Sequence, residues 1–105
     1  MKLGSLRGKD LIHVFKKGTE IQGKFFRLIY YRGEKGLRLT VIARKKIGKA
    51  VVRNKLKRRV KEVFRKSFPN GRGSFDIIVL LNEKSSEATF NELRDDILKC
   101  IERMK

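Results

Sequence analysis

The chain has one cysteine, one histidine, one proline and no tryptophan, and only 11 acidic residues against 28 lysines and arginines. Each shortage excludes something. A lone Cys100 forms no internal disulfide, so this is not a disulfide-stapled scaffold. One histidine and one cysteine, far apart, make no zinc site. His13 has no evident partner for catalysis, and Cys100 lies in an apolar stripe that suits a packed thiol. The acids do not cluster. Asp95 and Asp96 diverge by ~100° on a helix, and Glu92 with Asp96 suits the dipole of a helix start better than a two-carboxylate site. The glycines are scattered, and "GRG" at Gly71 to Gly73, after Pro69-Asn70, reads as a turn and not as a phosphate loop. No apolar run approaches the ~20 residues that span a bilayer. The N-terminus, "MKLGSLRGKDLIHVF", has no uninterrupted apolar core and no small-residue cleavage site, so it does not read as a signal peptide. Together these absences argue for a cytoplasmic protein, with no membrane partner and no catalytic site of its own.

What is present is positive charge on a foldable chain. The net charge is +17 and the isoelectric point near 10.6, yet 40% of the 105 residues are hydrophobic, too many for a disordered basic tail. One domain, residues 1–105, suits this length. Uncompensated charge repels itself and weakens a compact state. A fold that tolerates it is expected to meet a polyanion, with nucleic acid first.

The periodicities give an order of α-β-β-α-β-α. "KDLIHVFKKG" reads as a short helix ended by Gly18, with Leu11, Val14 and Phe15 on one side. Lys24 to Tyr31 reads as a strand, and an extra short strand fits near Glu20 to Gln22. After the turn "RGEKG", Leu37, Leu39, Val41 and Ala43 alternate with Arg38, Thr40, Ile42 and Arg44. The spacing predicts that these two long strands pair as an antiparallel hairpin with one wet or ligand-facing side. A helix is predicted from about Lys49 to Ser67, closed by Pro69 and Gly71. Its apolar stripe is Val52, Leu56, Val60, Val63 and Phe64. "SFDIIVLLN" is apolar on both faces, like a strand in the middle of a sheet. Thr89 and Glu92 form a capping box for a last helix with the stripe Phe90, Leu93, Ile97, Cys100, Ile101 and Met104. The fold class is α/β (α+β), a two-layer sandwich of helices on a small sheet.

The residues from Arg44 to Lys66 hold twelve lysines or arginines and one acid, Glu62. A solvated helix mixes charges to gain i,i+4 pairs. This one stacks Arg53, Lys57 and Lys61 in a like-charged row, which favours phosphate binding. Asn54, among these cations, is either a plain surface amide or a donor to a sugar or base edge.

"KKIGKAVVRNKLKRRVKEVFR" resembles the signature segment of the bacterial ribonuclease P protein family, the small basic partner of a catalytic RNA. The family's "RNR" motif is matched by Arg53-Asn54, and "VFKKGT", Val14 to Thr19, matches too. The resemblance spans essentially the whole chain. It implies a fold like the second domain of ribosomal protein S5, with a left-handed βαβ crossover. It implies that the RNA subunit removes the 5′ leader of precursor tRNA with magnesium ions (Mg2+), and that one protein joins one RNA. It implies contacts to the RNA subunit from Lys46, Lys49, Arg53, Asn54, Lys57, Arg58 and Lys61. Leader contacts are implied for Phe15, Phe25, Arg27, Tyr31, Arg38, Arg44 and Lys45. Phe25, Arg27, Ile29 and Tyr31 are then expected along the cleft face of the first strand, continued by Arg38, Thr40, Ile42 and Arg44. For Phe15 and Phe25 ordinary core is the competing reading. Three residues depart from the family's pattern. Leu11 stands where an aromatic is frequent, Ile29 where tyrosine is common, and Arg59 where an apolar residue is usual. The alternative to a ribonuclease P subunit is a non-catalytic RNA binder of ribosomal-protein type.

Overall fold

The computed structural model describes residues 4–34, 36–67 and 74–104. In chain order the elements are α1 (Lys9–Lys17), β1 (Thr19–Gln22), β2 (Phe26–Arg32), β3 (Arg38–Ile42), a 3-10 turn (Lys45–Ile47), α2 (Ala50–Ser67), β4 (Phe75–Leu81), a second 3-10 turn (Glu83–Glu87) and α3 (Phe90–Arg103). The order matches the sequence reading, including the extra short strand. Pro69, Gly71 and the "GRG" turn lie outside the described residues.

The strands form one sheet in the order β1-β2-β4-β3. β4 is antiparallel to β2 and parallel to β3. The expected hairpin between β2 and β3 is therefore corrected: β4 is inserted between them. The cause is burial. The first five residues of β4, Phe75 to Val79, are all buried, on both faces of the sheet. Such a strand belongs in the centre. The backbone that would close the β2–β3 hairpin is used on β4's start instead. The Gly33 N–H donates to the Ser74 carbonyl (2.8 Å) and the Gly36 N–H to Ser74 Oγ (3.2 Å). The hairpin that does exist is one strand earlier, between β1 and β2.

Helices α2 and α3 cover one face. Leu56, Val60, Val63 and Phe64 meet Leu93, Ile97 and Cys100 over Phe26, Leu28, Ile77 and Val79. Burial pushes the Cys100 thiol up to about 11, with the Asp96 charge adding to the shift, as befits a packed thiol. Val52, expected in the α2 stripe, is 37% exposed. It lies against the Gly48 turn at the start of the helix, short of the core. The capping box forms: the Glu92 N–H donates to Thr89 Oγ1 (3.1 Å), and the Thr89 N–H donates to Glu92 Oε1 (2.9 Å). Hydrogen bonding from the Thr89 backbone N–H, and next from the Thr89 side chain, holds the Glu92 carboxyl below its usual range.

On the other face α1 packs Val14 against Ile29 and Ile78, with Leu6 completing the cluster. Gly18 permits this approach. A Cβ there would sit 2.5 Å from the Val14 carbonyl oxygen and 2.6 Å from Ile29 Cγ2. The other end of α1 is held by charge. Arg38 donates from Nε and Nη2 to the two oxygens of the buried Asp76 (both 2.8 Å), and from Nη1 to Asp10 of α1 (2.9 Å). Hydrogen bonding to Asp76 raises the Arg38 pKa well above the ordinary guanidinium value, against the cost of desolvation. Thr40 Oγ1 accepts the Leu6 N–H (3.0 Å) and donates back to its carbonyl, so the N-terminal segment is tied to β3.

Two outcomes test this framework. Arg38→Met leaves Asp76 buried and unpaired and is expected to cost about 3–5 kcal/mol, with Arg38→Met/Asp76→Asn recovering part of it in urea denaturation. Thr89→Ala is expected to cost about 1 kcal/mol. Glu92 gains its cap bonds as a carboxylate, and its folded pKa is depressed. The stabilisation is therefore present above the unfolded carboxylate pKa and is lost as pH falls through the folded value, so the deficit of Glu92→Gln, which removes that carboxylate, should shrink in acid.

Candidate nucleic-acid interface

The face that carries α1 has three rows of side chains across the strands. Gln22, Arg27, Leu80 and Ile42 are successive partners in one row, spanning all four strands. Glu20, Ile29, Ile78 and Thr40 form the next, and Tyr31, Asp76 and Arg38 the third. α1 lies over the second and third rows: Val14 on Ile29 and Ile78, Asp10 on Arg38, and the His13 ring edge-on to Tyr31 at 4.6 Å. The first row is left open. It forms the floor of a groove of about 520 Å³, closed at its end by the two 3-10 turns. Ile42 and Leu80 give the groove an apolar base, and Arg27, Arg44, Lys46 and Lys84 surround it. Glu83 is the carboxylate in its lining. Arg27 also meets Glu20 at 2.9 Å, a half-exposed pair of little energetic weight.

The residues expected at the cleft divide. Arg27 and Arg44 line the groove. Phe15 is 41% exposed, so it is not core. At ~100° per residue it lies on the flank of α1 away from His13 and Tyr31, toward the open row. Phe25 is corrected: it is buried with Phe26 in the main core. It precedes β2, so strand alternation does not govern it. Its N–H donates to Asp96 Oδ2 (3.0 Å) and its carbonyl accepts from the Asn82 N–H (3.0 Å), which turns the ring inward. Arg38 is also corrected. It is on the expected face, but its guanidinium is committed to Asp76 and Asp10. Tyr31 and Ile29 share the face with Arg27, yet α1 covers Ile29, and Tyr31 stands two rows from the groove, roughly 13 Å along the strand. Lys45 is exposed beside the groove without lining it. Lys46, expected among the contacts to the RNA subunit, lines the groove. Sequence reasoning missed Lys84, Asn82 and Gln22. They gather only because the ends of β1 and β4 meet the second 3-10 turn, and "NEKSS" carries no periodic signal of that.

The basic helix keeps its charge outward. Lys49, Asn54, Arg58 and Lys61 are exposed, and Arg53 and Lys57 are half-buried at the border of the apolar stripe. Arg53 Nε is buried and meets no acceptor among the described residues. An unpaired buried donor costs free energy until an acceptor arrives, and a phosphate oxygen is such an acceptor. The 3-10 turn Lys45–Ile47 joins the groove to this helix, because Lys46 is in the groove wall and α2 begins at Ala50. Among the described residues no group of three His, Cys, Asp or Glu side chains is placed to hold a metal ion. No helix there is long and apolar enough to cross a membrane.

A family model described as Ribonuclease P matches residues 6–105. The ribonuclease P protein component of Thermotoga petrophila is 34% identical, over 92% of this chain and 87% of its own length. The solved ribonuclease P protein of Thermotoga maritima superposes with a TM-score of 0.82 at 32% identity, covering 92% of this chain and 93% of that one. That of Staphylococcus aureus gives 0.85 at 25% identity, covering 97% and 95%. Fold, charge and these likenesses define an RNA-binding protein of a processing ribonucleoprotein. The chain belongs to the ribonuclease P protein family, the protein component that partners ribonuclease P RNA in the endonuclease of tRNA processing. This decides against the ribosomal-type alternative.

Replacing Arg53 and Lys57 by Ala is expected to weaken binding to a bacterial ribonuclease P RNA while the melting profile is kept. The slope of log affinity against log salt should fall by ~0.7–0.9 per lost phosphate contact. A filter-binding salt series measures both, and wild-type affinity and slope would remove α2 from the interface.

Proposed function

We propose that the RNA subunit performs the cleavage and that this chain serves it through two surfaces. The exposed flank of α2 docks on the RNA subunit through Lys49, Arg53, Asn54, Lys57, Arg58 and Lys61. The open row of the sheet, with Phe15 at its border, holds the single-stranded 5′ leader of precursor tRNA, and the assembly is one protein to one RNA in the cytoplasm. The observation that carries the reading is the uncovered row itself: an apolar floor ringed by Arg27, Arg44, Lys46 and Lys84. Single strands are bound through stacking on aromatic or apolar surface and through backbone attraction. Structured RNA is recognised by shape and phosphate, which suits a helix of cations.

The groove does not suit hydrolysis by the protein. Metal-assisted hydrolysis needs clustered acids, and the groove's carboxylate stands next to Lys84. Magnesium keeps much of its water shell and takes phosphate oxygens readily, which suits an RNA site. In this reading the ions are held by RNA.

Affinity of the holoenzyme for precursor should rise as the leader lengthens through its first several nucleotides. Phe15→Ala should blunt that rise by ~1–3 kcal/mol, the worth of one stacked base, and Arg27→Gln should do so with a weaker salt dependence. A leader-length series with each variant measures this. If Phe15→Ala lowers the melting temperature but leaves the length dependence intact, the ring is packing only.

RNA-free protein should cleave nothing. With a cognate RNA subunit it should stimulate cleavage most at low magnesium, because ribozyme and substrate are both polyanions and either divalent ions or a +17 protein can screen them. Single-turnover cleavage across a magnesium titration, with protein, RNA and both, is the measurement. Cleavage by protein alone would overturn the division of labour proposed here.

A further inference from the structure

The face away from α1 has a second groove, of about 270 Å³, where α2 and α3 lie side by side. Val63, Phe90 and Leu98 line it, with Lys66 and Arg94 beside them. Phe90 is 36% and Leu98 37% exposed, so the apolar surface is open. Arg59, the residue that departs from the family's apolar preference, sets its guanidinium 5.8 Å from the centre of the Phe90 ring. It makes no ion pair among the described residues. The other two cations are loosely held. Lys66 reaches Glu62 at 3.8 Å, behind Arg65 at 2.9 Å, and Arg94 reaches its neighbour Asp95 at 3.4 Å.

An apolar floor alone would suit many partners; the charge narrows them. A second copy of this chain would bring another +17 to a basic rim. An unstacked nucleotide fits both parts of the site. Its base offers a π-face to Phe90, its phosphates meet three cations, and a guanidinium already held over an aromatic ring is a stacking partner for bases. We propose that the α2–α3 groove is a second RNA-contact site, taking one unstacked nucleotide against Phe90 within a ring of Arg59, Lys66 and Arg94.

The sheet separates this groove from the open row, so a leader lying in the row does not fill it. The nucleotide comes from the RNA subunit, the partner on which α2 is proposed to dock. Helical spacing puts Arg59 and Lys66 on the flank of α2 opposite Arg53, Lys57 and Lys61, so RNA would hold α2 along both sides. The inference rests on the chain's partnership with ribonuclease P RNA and not on the leader assignment.

The test is photo-crosslinking in the assembled holoenzyme, from a benzophenone side chain placed at Leu98 and, separately, at Lys61. Binding of a bacterial ribonuclease P RNA to Phe90→Leu and to Lys66→Gln/Arg94→Gln is measured alongside. Leu98 should crosslink to RNA. The crosslink should form to the RNA subunit without precursor, and one that forms only to precursor overturns the proposal. Phe90→Leu should lose about fivefold or more in affinity, the lower end for one stacked base, with an unchanged melting midpoint. The double variant should lower the salt slope by ~0.7–0.9 per contact. A silent Leu98 overturns the proposal, and the Lys61 probe then shows whether docking through α2 falls with it. A crosslink with wild-type affinity and slope also overturns it, as nearness without binding.

Discussion

The arrangement depends on one constraint: β4 is buried on both faces and has to be covered on both. α2 and α3 together cover one side. Among the described residues the other side has α1, nine residues long, with Leu6 of the segment before it. Such a helix is about 14 Å long and ~10 Å wide, while side-chain rows on a strand are spaced ~6.7 Å apart. It covers two rows and leaves the third. The groove is thus the part of the sheet that the short helix does not reach. What pins α1 over the far two rows, and not over the near one, is the Arg38–Asp76–Asp10 cluster at one end and the Gly18 approach at the other.

Most of the eleven acids hold parts of the fold or pair with a nearby arginine. Asp76 and Asp10 hold Arg38, Asp96 receives the Phe25 N–H, and Glu92 caps α3. Glu62 and Glu20 each take a nearby arginine. Little negative charge is left to neutralise α2 or the groove. That scarcity leaves the chain's cations available to phosphate, and the self-repulsion that results is relieved by the partner RNA.

Periodicity revealed the three α-helices and β3, whose buried faces repeat at 3.6 or 2 residues, while β2 showed by its aromatic and β-branched content and β4 as an unbroken apolar run. It did not reveal which strands are neighbours. Pairing of β4 between β2 and β3 depends on long-range burial, and local turn chemistry at "RGEKG" points to a hairpin equally well. The site was legible where residues sit inside regular elements, as with Arg27 and the α2 cations. It was misread at Phe25, one residue outside its strand, where hydrogen bonds from α3 and the second turn set the ring's direction. It was misread at Arg38, whose carboxylate partners are 28 and 38 residues away in sequence. Lys84 was invisible because a groove wall made by a loop has no period. Arg59 was noted as out of place, and only the nearness of Phe90 gave it a role.

The insertion of β4 also sets an order of events during synthesis. β2 and β3 are made early, and each keeps a long unpaired edge until residues 75–81 arrive to fill the gap. A nascent chain that stops short of Phe75 has neither of the two central pairings, and α1 has only half its floor, since Ile78 is missing. Closure of the sheet is therefore nearly a C-terminal event, dominated by contacts distant in sequence, which are slow to form. Until then the growing chain is a string of cations with open strand edges, a state prone to stray association. The architecture that creates the groove makes the unfinished protein the form most in need of protection.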